Sequence, residues 1–194
     1  SIRPKDGTGF GEPATSTEVA IGNSPPIASN VRISPSSPKE SEKLVCSYDY
    51  GDIDGDTESG TTLPWYMNET LQDKYNDLRD VSVGVTKSGE QWRVVVRPSD
   101  GIIHGKYQTS EAVTVGNTPP SVVALSVEIA LSGGLTSKYT YYDGGGDKED
   151  GTEIRWYRNR VAESKYNDQK AVSSTDILKG EEWYFTIRPK DGTD

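Results

Sequence analysis

Residues 50–66, YGDIDGDTESGTTLPWY, lie without a gap over residues 141–157, YYDGGGDKEDGTEIRWY. Trp65 thus matches Trp156, 91 positions later, and the motif YND at 75–77 recurs at 166–168 with the same offset. SGEQWRVVVRPSDG (88–101) also matches KGEEWYFTIRPKDG (179–192) in this register. A unit of roughly ninety residues is therefore present twice, and such a period predicts tandem domains.

The N-terminal segment is a partial third copy. IRPKDGTGFGEPATSTEVAIGNSPP (2–26) lies over VRPSDGIIHGKYQTSEAVTVGNTPP (96–120), and the heptapeptide IRPKDGT occurs at both 2–8 and 187–193. We therefore predict a final-strand segment, 1–22, that completes a neighbouring domain; a complete domain, 23–117; and a domain, 118–194, that is incomplete without a donated or continuing strand. Three origins stay open: a window of a long tandem array, a subunit that donates its N-terminal strand, and a chain cut without regard to domain limits.

Short runs with alternating polarity recur within each unit. NVRIS, KLVCSYDY, LPWYMN, VSVGV, QWRVVVR and SEAVTVGN are separated by turn signals such as SPSSP and TKSGE. Six or seven short strands in one unit predict an all-β chain of two tandem immunoglobulin-like or fibronectin-III-like sandwiches, the second without its last strand.

The tryptophans and the single cysteine and histidine have simple structural interpretations. Trp65 and Trp156 fall on the third strand, where a core tryptophan is expected, with sugar stacking as the alternative. Trp92 and Trp183 are expected to pack across the corner below the strand that they open. Cys46 is expected to be a small buried hydrophobe and the single His104 a surface residue.

The charge of the chain limits its partners. The formal net charge is −9, which makes nucleic acid and anionic membrane surfaces unsuitable partners and favours cations. One cysteine allows neither a disulfide framework nor a cysteine-rich metal site. We see no signal peptide and no run long enough for membrane insertion in this segment.

The loop after the second strand carries clustered carboxylates, the ligands that Ca²⁺ prefers. A second set comes from the RP(S/K)DG turns, which belong to the same end of an Ig-like sandwich. The candidate metal ligands are Asp52, Asp54, Asp56, Glu58 and Asp100 in the first unit, and Asp143, Asp147, Glu149, Asp150 and Asp191 in the second. Asn23 and Asn117 of the linkers are expected to add carbonyl oxygens. The alternatives are ordinary solvated Asp-Gly loops and, for Asp100 and Asp191, turns closed by the aspartate side chain.

SYDYGDIDGDTESGTTLPWYMNE, the pattern W-x-V-x-V-R-P-S-D-G and the linker VGNTPP together resemble the tandem immunoglobulin-like repeats of large bacterial and archaeal surface proteins. The resemblance covers nearly the whole chain and implies an extracellular or cell-surface location, an adhesive, stalk-like or filamentous role and no catalysis. The second unit departs from the pattern where GGG (144–146) replaces IDG (53–55).

We therefore predict a structural protein and not an enzyme. It is a repeat unit of an extracellular rod or filament, assembled head to tail with copies of itself, with calcium at the joints. An adhesin or carbohydrate-binding module is the alternative. Glycans are a further possible partner, since Asn68-Glu69-Thr70 is an N-glycosylation sequon.

Overall fold

A computed structural model describes residues 1–193, and all its strands pair antiparallel. The first unit (residues 23–117) contains β1 (Ile27–Ser34), β2 (Leu44–Gly51), β3 (Trp65–Met67), β4 (Thr70–Leu71), β5 (Asp80–Val81), β6 (Gln91–Val96), β7 (Gln108–Thr109) and β8 (Val113–Thr114). The second unit (residues 118–193) contains β9 (Ser121–Ile129), β10 (Leu135–Tyr142), β11 (Glu153–Arg158), β12 (Val161–Ala162), β13 (Ala171–Val172) and β14 (Trp183–Arg188). Short 3-10 helices lie at Asp73–Tyr75, Ser164–Tyr166 and Ser174–Asp176.

Each unit has the two facing sheets of an Ig-like sandwich. In the first unit one sheet has the order β1-β2-β5, and the other has the order β4-β3-β6-β7, with β8 also on the edge of β6. In the second unit the sheets are β13-β10-β9 and β12-β11-β14. The chain is therefore all-β, as predicted. Within residues 118–193 no strand corresponds to β7 and β8, so one edge of β14 is unpaired.

Two separate apolar clusters form the cores. In the first, Trp65 is completely buried and Trp92 packs edge-on against it, with ring centroids 6.4 Å apart. In the second, Trp156 takes the place of Trp65 and packs against Phe185. The predicted core role of Trp65 and Trp156 is confirmed, and burial leaves neither available for sugar stacking. Cys46 is also buried.

The two YND motifs are turns that tie the chain to the third strand. Asp77 and Asp168 both have positive φ. The Asp77 side chain accepts a hydrogen bond from the backbone N–H of Leu63 at 2.8 Å, and the Asp168 side chain accepts one from Ile154 at 3.0 Å. The preceding tyrosines are buried in the cores. By contrast, only Val81 of the run VSVGV lies in a strand, β5 (Asp80–Val81), because the chain turns at Val83 and Gly84, where Gly84 has positive φ.

The N-terminal tail (residues 1–22) lies outside both sandwiches. Ile2 and Ala14 form a β-bridge with two backbone hydrogen bonds, of 2.9 and 3.0 Å, and Gly11 N–H donates to the Pro4 carbonyl. The first unit makes the same pairs between Val96 and Gln108 and between Gly105 and Pro98. The tail thus folds locally as the β6–β7 hairpin does, but its residues are exposed. Among residues 1–193 no helix is long and apolar enough to cross a membrane.

Candidate functional site

The candidate site lies at the upper end of each unit, which we define by the loop after its second strand, the RP(S/K)DG turn and the preceding linker. The loop and the turn meet because Ser59 pairs with Asp100 and Asp150 pairs with Asp191 in isolated β-bridges. The topology of the sandwich, and not the spacing in the sequence, brings these acidic segments together.

In the first unit, Asp52, Asp56 and Asp100 form one group. One carboxylate oxygen of each lies within 4.8 Å of the others, a separation that a single cation can bridge. Asp52 Oδ1 accepts the N–H of Asp54 at 2.7 Å, whereas its Oδ2 is buried without a hydrogen-bond partner. A buried carboxylate oxygen without a donor is costly, so this oxygen is the natural ligand for a cation.

The linker closes over this group. Asn23 Nδ2 donates to Asp100 Oδ2 at 2.7 Å, and the backbone N–H of Ser24 donates to Asp54 Oδ2 at 2.6 Å. Asp54 therefore holds the linker and lies outside the group of three carboxylates. The expected proximity of Asn23 to the site is observed, but the contact comes from its amide nitrogen.

Glu58 and Glu149 each bind a tyrosine of the neighbouring strand. Each accepts a hydrogen bond from a tyrosine hydroxyl, at 2.5 Å from Tyr48 to Glu58 and at 2.7 Å from Tyr139 to Glu149. The structure therefore gives both glutamates the same role, which is to join the loop to the second strand of their unit.

The second unit repeats part of the arrangement, but within residues 1–193 its carboxylates do not converge into a group of three. Asp143 Oδ1 accepts the N–H groups of Gly145 and Asp147, and its Oδ2 is buried without a partner, as in Asp52. Asn117 Nδ2 donates to Asp191 Oδ2 at 2.8 Å. Asp150 lies beside this turn, since its Oδ2 is 3.1 Å from the point where a Cβ of Gly192 would stand.

The aspartates of the RP(S/K)DG turns close their own turns with their side chains. Asp100 Oδ1 accepts the N–H groups of Ile102 and Ile103, both at 2.7 Å, and Asp191 Oδ1 accepts the N–H and hydroxyl of Thr193. Asp6 does the same for Thr8 and Gly9. The Thr193 hydroxyl, then the Asn117 amide and the Thr193 N–H, lower the pKa of Asp191 to about 2.

The field at both upper ends is negative. Loss of hydration, followed by the charges of Asp52 and Asp100, raises the pKa of the Tyr50 phenol. Tyr141 is shifted in the same direction for the same reasons, with Asp143 and Asp191 as its largest charged neighbours. Both hydroxyls are buried without partners. A cation bound here would relieve this field.

One buried charge at the joint was missed from the sequence. Glu40 lies in the loop 35–43 at the lower end of the first unit and is 1% exposed. Its Oε1 accepts the N–H of Ser88 at 2.8 Å, but its Oε2 has no partner. Oε2 and Asp143 Oδ1 lie 2.4 and 3.2 Å from the point where a Cβ of Gly145 would stand. The only sequence signal is that the second unit lacks a counterpart of this loop.

The sequon and the histidine are both exposed. Asn68 and Glu69 have positive φ and form the two-residue turn between β3 and β4, and Asn68 Oδ1 accepts the N–H of Gln91 at 2.9 Å. Asn159 and Arg160 repeat this turn in the second unit, and Asn159 accepts from Glu182. Asn68 thus has a structural role that needs no glycan. His104 is exposed, as predicted.

No protein-family model and no curated protein matches the chain. Solved structures do match it, and one is the crystal structure of chicken CNTN1 FN1-FN3 domains. That match has a TM-score of 0.37 and 11% identity, and covers 99% of this chain and 69% of the other.

Proposed function

We propose that the chain is a structural repeat unit of an extracellular rod or filament, in which copies are joined head to tail. The final strand of the second unit comes from a segment with the sequence of the N-terminal tail, supplied by strand complementation or by tandem continuation. The division into 1–22, 23–117 and 118–194, the extracellular or cell-surface location and the absence of catalysis are parts of this proposal.

The exposure of two tail residues carries the proposal. Val19 and Ile21 are 80% and 90% exposed, whereas their counterparts in the first unit, Val113 and Val115, are 6% and 1% exposed. A strand that keeps the apolar residues of a core position but has no core of its own needs a partner. Burial of each side chain stabilises by about 1.5–3 kcal/mol.

The tail also keeps the polar and small residues that the docked strand uses. Ser110 accepts the N–H of Val94 inside the first unit, and Ser16 is its counterpart in the tail. At Gly105 a Cβ would stand 1.9 Å from the Pro26 carbonyl oxygen, so only glycine fits there. The tail also has a glycine, Gly11, at the position that corresponds to Gly105.

The second unit offers the complementary groove. Leu125, Val127 and Ile129 of β9 pair with Tyr139, Ser137 and Leu135 on the same face, yet they are 54%, 37% and 79% exposed. On the opposite sheet, Trp183 is only partly buried, whereas its counterpart Trp92 is 2% exposed. We place the missing strand between β9 and the unpaired edge of β14, where these apolar side chains are exposed.

The assembly is tested by electron microscopy and sedimentation of the 194-residue chain. Two sandwiches in line give an expected axial repeat of roughly 70–90 Å. Chains that stay monomeric at every concentration, with no such repeat, would refute assembly by strand complementation.

Calcium at the joints is the second part of the proposal. The group Asp52, Asp56 and Asp100 supports it in the first unit, and the buried unpartnered oxygens of Glu40 and Asp143 support it in the second. Among residues 1–193, neither Glu40 nor Asp143 forms an ion pair. Extracellular sites of this kind bind with a Kd of roughly 10⁻⁴–10⁻³ M.

Thermal unfolding with Ca²⁺ and with chelator tests this site. At 10 mM Ca²⁺ such a Kd raises the free energy of unfolding by about 1.4–2.7 kcal/mol. Asp56→Asn should remove the part of the shift that comes from the first unit, whereas Asp73→Asn, at an exposed aspartate in the 3-10 turn, should keep the whole shift. Equal unfolding temperatures of the unmodified chain with Ca²⁺ and with chelator would remove calcium from the proposal.

The alternative, an adhesin or carbohydrate-binding module, has one supporting observation. Tyr157 and Tyr184 stack with ring centroids 4.8 Å apart, and Tyr184 is 41% exposed. A glycan array with the assembled protein tests this function.

A further inference from the structure

The joint within the chain shows how the lower end of one unit meets the upper end of the next. The lower end of the first unit is the loop 35–43 together with the turn 86–90. Lys87 Nζ donates to the Gly145 carbonyl at 2.8 Å, and the N–H of Ser41 donates to the Thr118 hydroxyl at 3.2 Å. At Gly144 a Cβ would stand 3.2 Å from both Ser41 and Thr118. This joint is polar and needs a glycine loop on the upper surface.

The other two ends of the chain each carry an exposed apolar residue at one of the matching positions. On the upper end of the first unit, Ile53 and Asp54 stand where the second unit has Gly144 and Gly145. On the lower end of the second unit, Leu178 stands where the first unit has Lys87. Ile53 is 87% exposed and Leu178 is 67% exposed.

The remaining part of the lower end is also polar in the first unit and apolar in the second. The second unit replaces the loop 35–43 with a tight β9–β10 hairpin, closed by the hydrogen bonds of Ala130 N–H to Gly134 and of Gly133 N–H to Ala130. Leu131 at its tip is fully exposed, at 112%. Two leucines thus project at the end of the second unit where Glu40 and Lys87 lie in the first.

A largely apolar pocket lies on the upper end of the first unit. It is lined by Pro25, Ile27, Gly51, Asp52 and Ile53. Ile27 is 65% exposed. We call these five residues the Ile53 patch.

The identity of the neighbour follows from the repeated heptapeptide. The hairpin that precedes the linker of the first unit reads IRPKDGT, which is the sequence of the second unit at 187–193, whereas the first unit reads VRPSDGI at 96–102. The unit that docks above the first unit is therefore of the second kind, with its two leucines.

We propose that the joint between successive copies is apolar, formed by Leu131 and Leu178 of one copy on the Ile53 patch of the next. This inference rests on the head-to-tail assembly proposed above and names its contact surface. It also predicts that the two kinds of unit alternate. If the lower end of one first unit met the upper end of another, Asp54 would take the place of Gly145, beside the buried Oε2 of Glu40. Without a bound cation, two carboxylates would then face each other, which opposes that pairing.

The test compares assembly of three single variants by sedimentation velocity. Leu131→Asp and Ile53→Asp should each raise the concentration needed for assembly about tenfold or more, and both residues are too exposed for the fold to depend on them. Leu71→Asp is the matched control, since Leu71 is a partly exposed apolar residue on the β3–β4 hairpin, outside the joint. Assembly of the unmodified chain should strengthen with NaCl, because salt screens the repulsion between copies of charge −9 and leaves apolar contacts intact.

A crosslink locates the contact directly. The double variant Leu131→Cys with Ile53→Cys should give a ladder of covalent oligomers with a short bis-maleimide, whereas Leu131→Cys with Leu71→Cys should not. Cys46 is 3% exposed and should remain unreacted. If the unmodified chain assembles but Leu131→Asp assembles equally well and no ladder forms, the apolar joint is wrong and the head-to-tail proposal stands. If the unmodified chain does not assemble, strand complementation and the joint between separate copies are both wrong.

Discussion

Substitution of Ile21 by alanine tests whether the N-terminal tail docks as a strand on a neighbouring copy. Ile21 is 90% exposed in the single chain, so its truncation should leave the unfolding of the monomer unchanged. Its counterpart Val115 is 1% exposed, and the backbone of Val115 is held between Gly89 and Glu90 by hydrogen bonds of 2.8 and 2.9 Å. In the assembly, Ile21 should lie in the corresponding place beside Gly180 and Glu181.

The expected magnitude follows from the lost burial. Ile→Ala removes three carbon groups of about 0.8 kcal/mol each, or about 2.4 kcal/mol of transfer free energy. Ile→Ala in packed cores costs about 2–5 kcal/mol once the cavity is included. At about 1.4 kcal/mol for each factor of ten, association should weaken roughly 50-fold or more.

Sedimentation velocity over a concentration series measures this association, and circular dichroism follows the unfolding of the dilute monomer. Ala20→Ser is the matched control, because residues alternate across a strand and the counterpart of Ala20, Thr114, is exposed. The reasoning is refuted if Ile21→Ala associates as tightly as the unmodified chain, or if Ala20→Ser weakens association equally.

Three further predictions concern the joint, a turn and the pH response. Gly145→Ala should lower the unfolding temperature, because the added Cβ would stand 2.4 Å from Glu40 Oε2. Gly22→Ala is the control, because its Cβ meets no atom within 4 Å and should leave the unfolding temperature unchanged; the neighbouring Gly146 is unsuitable, since it has positive φ. Arg160→Gly should raise the free energy of unfolding by about 0.5–1 kcal/mol, because Arg160 has a φ of 69° that glycine adopts without strain; an unchanged unfolding temperature would contradict this. The Asp191 carboxylate has a lowered pKa of about 2, so it stabilises the folded state above its unfolded pKa of about 3.8, and this contribution should disappear as the pH falls from about 4 to about 2. Asn117→Ala should raise the pKa of Asp191 in a carbon-13 NMR titration and leave that of Asp6 unchanged; equal values in both proteins would show that the Asn117 amide has no influence.

Much of the fold was available from the sequence because its signals are local or repeated. Alternating apolar residues predicted the strands around Trp65 and Trp156, and their burial is confirmed. The offset between repeats also identified the tail as a copy of the β6–β7 hairpin, since a hairpin of this length closes with its own backbone hydrogen bonds. The pattern failed over VSVGV, where the alternation is interrupted by a glycine turn.

The candidate site was predicted less completely because its members are distant along the chain. Repeated carboxylates drew attention to Asp52, Asp56 and Asp100, which do converge, but also to Glu58, which accepts a hydrogen bond from Tyr48 and is outside that group. Spacing along a loop cannot distinguish these orientations, since they depend on which strand lies behind each side chain.

The sequence by itself determined the repeat, the all-β class and the partial third copy, because these follow from periodicity and self-similarity. Only the tertiary structure decided which differences between the repeats matter. Glu40 and Gly145 belong to different units, and their contact exists only because two folded ends meet. The exposure of Leu131 and Ile53 likewise indicates a contact surface only by comparison with the polar joint that the corresponding positions form between the two units. The repeated sequence determines the fold that the units share, because that fold depends on local hydrogen bonding and burial. The order of the units depends instead on contacts between their end surfaces, which no local pattern encodes.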